Sequence, residues 1–159
     1  MIRAHREGRA LTIDIRGQAT MMESPAVHTL VRKHMSHGLR ALRVDLRDCA
    51  MIDSTFAGTL LSLEHQLDTL TLVSPSPRVL ELLRRMGLDD LYTIEAAPHP
   101  RGPWIDLSVA SPEAEKLTSL VLESHEELAH VAGPHASAFR SVVEELRRDH
   151  ASRHGGSKG

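Results

Sequence analysis

The chain has 159 residues, 41% of them hydrophobic and 25% charged, which is ordinary for a folded domain and excludes disorder of the whole. A chain of this length hides roughly two thirds of its unfolded surface, enough for one core with a short extension. The formal charge is −2, so no DNA-binding face is expected, and Phe56, Tyr92, Trp104 and Phe139 are too few aromatics for a single-stranded nucleic-acid platform. Arg3 and Arg6 break the N-terminus into charge, so no signal peptide is expected, and the apolar runs are too short to cross a membrane. The single cysteine, Cys49, allows no internal disulfide, and a cytoplasmic location is the expectation.

In chain order, Leu11, Ile13 and Ile15 alternate with Thr12 and Asp14, which predicts a strand with one buried face, ended by Gly17. Ser24-Pro25 reads as the N-cap and first residue of a helix carrying Val27, Leu30, Val31, His34 and Met35, stopped by Gly38. Leu42, Val44 and Leu46 predict a second strand. Asp53 then caps a helix with Phe56, Leu60, Leu63 and Leu67 on its apolar face. A third strand runs from Leu70 to Val73, and Ser76-Pro77 opens a helix closed by Gly87. Leu91 to Ile94 adds a short strand. Strands alternating with helices predict an α/β domain over residues 1–97.

Pro98, Pro100, Gly102 and Pro103 mark residues 98–110 as a linker, with Trp104 to Val109 extended. The composition then changes: residues 106–145 carry two basic and eight acidic groups. Residues 111–148 read as a helical hairpin that starts at Ser111-Pro112, breaks at Gly133-Pro134 and places Phe139, Val142, Val143 and Leu146 on one face. That face suits packing on its own domain or on a second copy, so a homo-oligomer stays open. Residues 149–159 read as a flexible tail.

Most chemistry is excluded by spacing. His125 and His130 flank Glu126-Glu127 but lie five residues apart, about 140° around a helix, so they do not form a zinc pair and read as solvated histidines. His150 and His154 have the right spacing but no third ligand. No Gly-rich phosphate loop occurs, and Ser54 lacks the flanking glycines of a nucleophile elbow. A receiver-type phosphoaspartate at Asp45 or Asp48 would need a lysine after a strand, and Lys33, Lys116 and Lys158 do not provide it. No catalytic set, cofactor or metal is therefore expected, and the chain reads as a binding protein rather than an enzyme.

The segment Ile52-Asp53-Ser54-Thr55 joins a strand to a helix. It admits a purely structural reading, in which Asp53 caps and Ser54 and Thr55 fill the first turn. It also places a serine hydroxyl where free backbone N–H groups and the positive end of the helix dipole accept a phosphate. With Gly17-Gln18-Ala19-Thr20 and Ser24-Pro25 upstream, and Ser74-Pro75-Ser76-Pro77 and Met86-Gly87-Leu88 downstream, residues 1–95 resemble the STAS family of anti-sigma factor antagonists and sulfate-transporter domains. Phe56-Ala57-Gly58 stands where that family usually has Gly-Leu-Gly.

The resemblance implies a mixed β-sheet with helices and a bacterial regulatory protein. It implies that Ser54 is phosphorylated by a partner serine kinase that is also an anti-sigma factor, and reset by a phosphatase. Asp53, Thr55, Phe56, Met21 and Met22 are the expected partner-binding residues, around an outward-pointing Ser54 hydroxyl. The alternative is a STAS scaffold or interaction module that is never phosphorylated.

Overall fold

A computed structural model describes residues 1–109, 112–131 and 136–155 of the chain. Among the described residues there are eight strands: β1 (Ile2–Glu7), β2 (Ala10–Ile15), β3 (Gly17–Ala19), β4 (Ala41–Asp45), β5 (Cys49–Ile52), β6 (Thr69–Val73), β7 (Thr93–Glu95) and β8 (Ile105–Leu107). The helices are α1 (Ser24–Met35), α2 (Ser54–Glu64), α3 (Pro77–Arg85), α4 (Ala114–Val131) and α5 (Ala136–Gly155). Six strands form one mixed sheet in the order β7-β6-β4-β2-β1-β8, and β3 pairs with β5 in a small parallel ribbon. The α/β reading with C-terminal helices holds.

Alternation decides which side of the sheet meets the helices. Ile2, Leu11, Ile13, Ile15, Leu42, Val44, Leu70 and Leu72 lie in one buried cluster with Val27, Val31, Phe56, Leu60, Val79 and Leu83 of the helices. The central pairs β2–β4 and β4–β6 are parallel and in register, Ile13 opposite Val44 and Val44 opposite Leu72. Two caps fall where the sequence places them. The Asp53 side chain accepts from Phe56 N, and the Ser76 side chain accepts from Val79 N. Gly87, at φ 70°, closes α3 in a left-handed turn that only glycine adopts cheaply.

Ser24 is not a cap. It is the first residue of α1, fully buried, and its hydroxyl donates to Thr20 O, while Glu23 holds the N-cap position. Four strands lie outside the sequence expectation or only at its margin: β1, β3, β5 and β8. The helical pattern also continues further than expected, since α5 runs on through Gly155. The expected break at Gly133-Pro134, Ser111 and the last four residues lie outside the described residues.

The other side of the sheet is polar, and the segment between β7 and β8 straps it from one edge strand to the other. Ala97 O accepts from Arg47 and Pro103 O bonds to His5 Nδ1 at 2.8 Å. The Trp104 ring stacks under the Arg3 guanidinium at 4.3 Å. Beneath this strap sit Asp14 and Asp45, paired across β2 and β4 and both completely buried. Arg3 and Arg16 bind Asp14, and Arg47 grips both oxygens of Asp45. Buried carboxylates persist only with such partners.

Candidate functional site

The site is assembled where the β3–β5 ribbon delivers two loops to the start of α2. Gln18 pairs with Met51 and Ala19 with Ile52, and Asp53 N donates to Ala19 O at 3.1 Å. Asp53 then works in two directions. One oxygen accepts from Phe56 N at 2.8 Å and caps α2; the other accepts from Met21 N at 2.7 Å and holds the Met21 loop beside it. Burial pushes the Asp53 carboxyl above the usual range, and these two amide bonds pull against that shift. Within the loop, Glu23 accepts from Thr20 N and from the Thr20 hydroxyl, so the turn is tied to itself. Met21 and Met22 stand out at 39% and 44% exposure, with Met51 at 39% on the adjoining strand.

Two of the expected contact residues are not on this surface. Phe56 is 0% exposed and is among the largest fully buried side chains, and Thr55 is 4% exposed. The reason is geometric: a helix with apolar groups all round can be buried on two sides, and α2 is, with the sheet beneath and α4 above. Phe56 points to the sheet side of that sandwich.

Ser54 is also corrected. It occupies the first position of α2, but its hydroxyl does not point freely outward; it is half-buried and bonded to His125 Nε2 at 3.0 Å. His125, read from spacing as solvated, is only 6% exposed. Its Nδ1 lies 2.7 Å from Val121 O. A carbonyl only accepts, so Nδ1 carries the proton, and in the neutral imidazole Nε2 is then the acceptor for the Ser54 hydroxyl. The Phe139 ring of α5 backs the imidazole at a centroid distance of 6.0 Å.

The rest of the α2–α4 contact is close. A Cβ at Gly58 would lie 2.3 Å from Ser124 O, so the two backbones meet where glycine leaves room. Ser62 donates to Glu123 at 2.9 Å, and His65 pairs with Glu127. That pairing raises the His65 pKa. No spacing rule joins Ser54 to a histidine 71 residues later; the signals in the sequence were only Gly58 and the helical stretch that carries His125.

One group of metal-type donors occurs among the described residues: Asp14, Asp45 and His99, with ligand atoms within 4.8 Å of one another. His99 Nδ1 lies 3.2 Å from Asp45, and Asp14 Oδ1 has no hydrogen-bond partner. The chemistry of the set does not suit a cation. Two carboxylates already face three guanidinium groups, so a divalent ion would enter a cluster that is net positive. Its evident role is to hold the strap.

A family model described as "Mlab, STAS domain" matches residues 2–94, which is more than half of the chain. The chain belongs to the STAS domain family. Among solved structures, the STAS domain resembles the anti-sigma factor antagonist SpoIIAA in its unphosphorylated form, with a TM-score of 0.55 at 16% identity, covering 62% of this chain and 89% of that one. It also resembles the Bacillus cell fate determinant SpoIIAA in its phosphorylated form, with a TM-score of 0.51 at 14% identity, covering 62% and 92%. At these identities the likeness concerns the fold. No curated protein matches this chain. The α4–α5 pair lies beyond the matched STAS residues. No described helix is long and apolar enough to cross a membrane.

Proposed function

We propose that this STAS domain is a regulatory protein-binding module, switched by phosphorylation of Ser54 by a serine kinase of the anti-sigma type and reset by a phosphatase. The observation that carries the reading is the seating of Ser54. It is the first residue of a capped helix, half-buried, directly after an aspartate that also fixes the exposed Met21 loop. A phosphoryl group there meets the positive end of the α2 dipole and adds about −1.5 to −2 of charge beside an apolar contact surface. Met21 and Met22 form that surface, with Asp53 holding the Met21 loop in place; Met is well suited to adaptable contacts. A like fold has been solved in both unphosphorylated and phosphorylated forms, which supports the reading.

The second reading, a scaffold that is never phosphorylated, is favoured by one observation: the Ser54 hydroxyl already has a partner in His125. Intact-mass measurement of the protein from its own cells, followed by mapping of any added 80 Da to a peptide, separates the two. Phosphate on Ser54, lost in Ser54→Ala, is the expected result. An unmodified chain under all growth conditions leaves the scaffold.

A further inference from the structure

The C-terminal helices do something the STAS fold itself does not require. They cover the outer side of α2, where Gly58 meets the backbone of Ser124, on a helix whose other side already faces the sheet. One of the contacts involves the candidate switch residue, and it depends on a single proton. Ser54 donates that proton to His125 Nε2, because the other ring nitrogen is committed to Val121 O.

We propose that the α4–α5 pair is a built-in cover of the switch face, latched by the Ser54 hydroxyl and held off when that oxygen carries a phosphoryl group. The proposal rests on the phosphoswitch reading above. The chemistry is a transfer from ATP by a serine kinase. The Ser54 Oγ–P bond forms, the bond from the γ-phosphorus to its bridging oxygen breaks, ADP leaves, and the hydroxyl proton passes to the kinase's base. The ester oxygen then has no proton to donate. An acceptor faces an acceptor, and the phosphoryl group needs space that the imidazole occupies at 3.0 Å.

The cover cannot yield by a small outward shift and remain docked. At Gly58 and Ser124 the backbones pack directly against each other, and the Phe139 ring of α5 lies 6.0 Å from the His125 ring, so the imidazole is held between α2 and the second helix of the cover. In the unmodified chain a kinase reaches Ser54 while α4 is transiently off, and the phosphate then traps that open state. The same opening bares the outer side of α2 next to Met21 and Met22, which enlarges the surface presented to a partner.

The coupling is testable in the full chain without a kinase. Amide hydrogen exchange, followed peptide by peptide, compares wild type with Ser54→Ala and Ser54→Glu. The expected result for Ser54→Glu is exchange at least tenfold faster over α4 and over residues 54–62, with β2 and β4 unchanged. Ser54→Ala, which removes the latch proton but adds no charge or bulk, should move α4 much less. Unchanged or slower exchange of α4 in Ser54→Glu overturns the proposal, since His125 would then tolerate or clamp the charge. Loss of protection throughout the sheet overturns it too, because a charge that melts the domain is not releasing a cover. These outcomes are independent of the intact-mass result, so the cover can fail with the phosphoswitch standing, and the reverse.

Discussion

Gly58→Ala isolates the contact between α2 and α4, and its sign depends on whether α4 is docked. In an isolated helix the change is favourable by about 1 kcal/mol, because alanine costs less conformational entropy. Here the added Cβ would sit 2.3 Å from Ser124 O and 2.8 Å from Ser124 C, where ordinary contact begins at 3.4 Å. The shortfall from the carbonyl is roughly 1 Å, and the atoms met are the Ser124 carbonyl and its Cβ, which the backbone fixes, so no flexible side-chain end can swing aside. Overpacking of this kind costs about 1–3 kcal/mol, which outweighs the helix gain. The full chain should therefore lose up to about 2 kcal/mol in urea unfolding, with α4 peptides exchanging faster. In a chain ending at residue 110 the clash is gone, and the same substitution should stabilise by about 1 kcal/mol. A full-length Gly58→Ala variant that is more stable than wild type by about 1 kcal/mol would refute the docking geometry outright.

Leu46 is completely buried just after β4, so Leu46→Ala should cost about 2–5 kcal/mol by chemical denaturation, and a loss well under 1 kcal/mol would mean the site collapses freely or is not core. The buried Tyr92 hydroxyl donates to Ala57 O at 2.7 Å, and burial pushes its pKa up; Tyr92→Phe should lower stability by about 0.5–1.5 kcal/mol with no change in the near-neutral pH profile. His28, half-buried on α1, has its pKa lowered from 6.5, first by burial and then by Arg32, against the opposing pull of Glu123. The folded state thus holds fewer protons than the unfolded one. The His28 contribution is present above pH 6.5 and lost as pH falls through the lowered value. His34 acts in the same sense, while exposed His65, raised by Glu127, acts in the opposite one. A Tm series from pH 7.5 to 5 should fall on the acid side, and His28→Gln should flatten that fall; an identical slope in the variant would exclude His28.

Much of the architecture is written locally. The alternation in β2, β4 and β6 names the face that meets the helices, because a side-chain period of two leaves no choice once one face is apolar. Asp53 and Ser76 announce their helices because a cap bonds to an amide three residues on, within reach of a local reading. The Asp53-Ser54 step, and with it the candidate switch, is legible for the same reason. What is decided elsewhere is every feature that needs a distant partner. β1 has no long apolar pattern because Arg3 and His5 face the strap, and β3, β5 and β8 are each too short to show a period. Phe56 turns inward, although it lies two residues after the candidate switch serine, because α2 is enclosed from both sides. His125 has no spacing that marks it. It becomes the partner of Ser54 only when Gly58 lets the backbone of α4 approach α2, a contact set by packing between segments far apart in the chain.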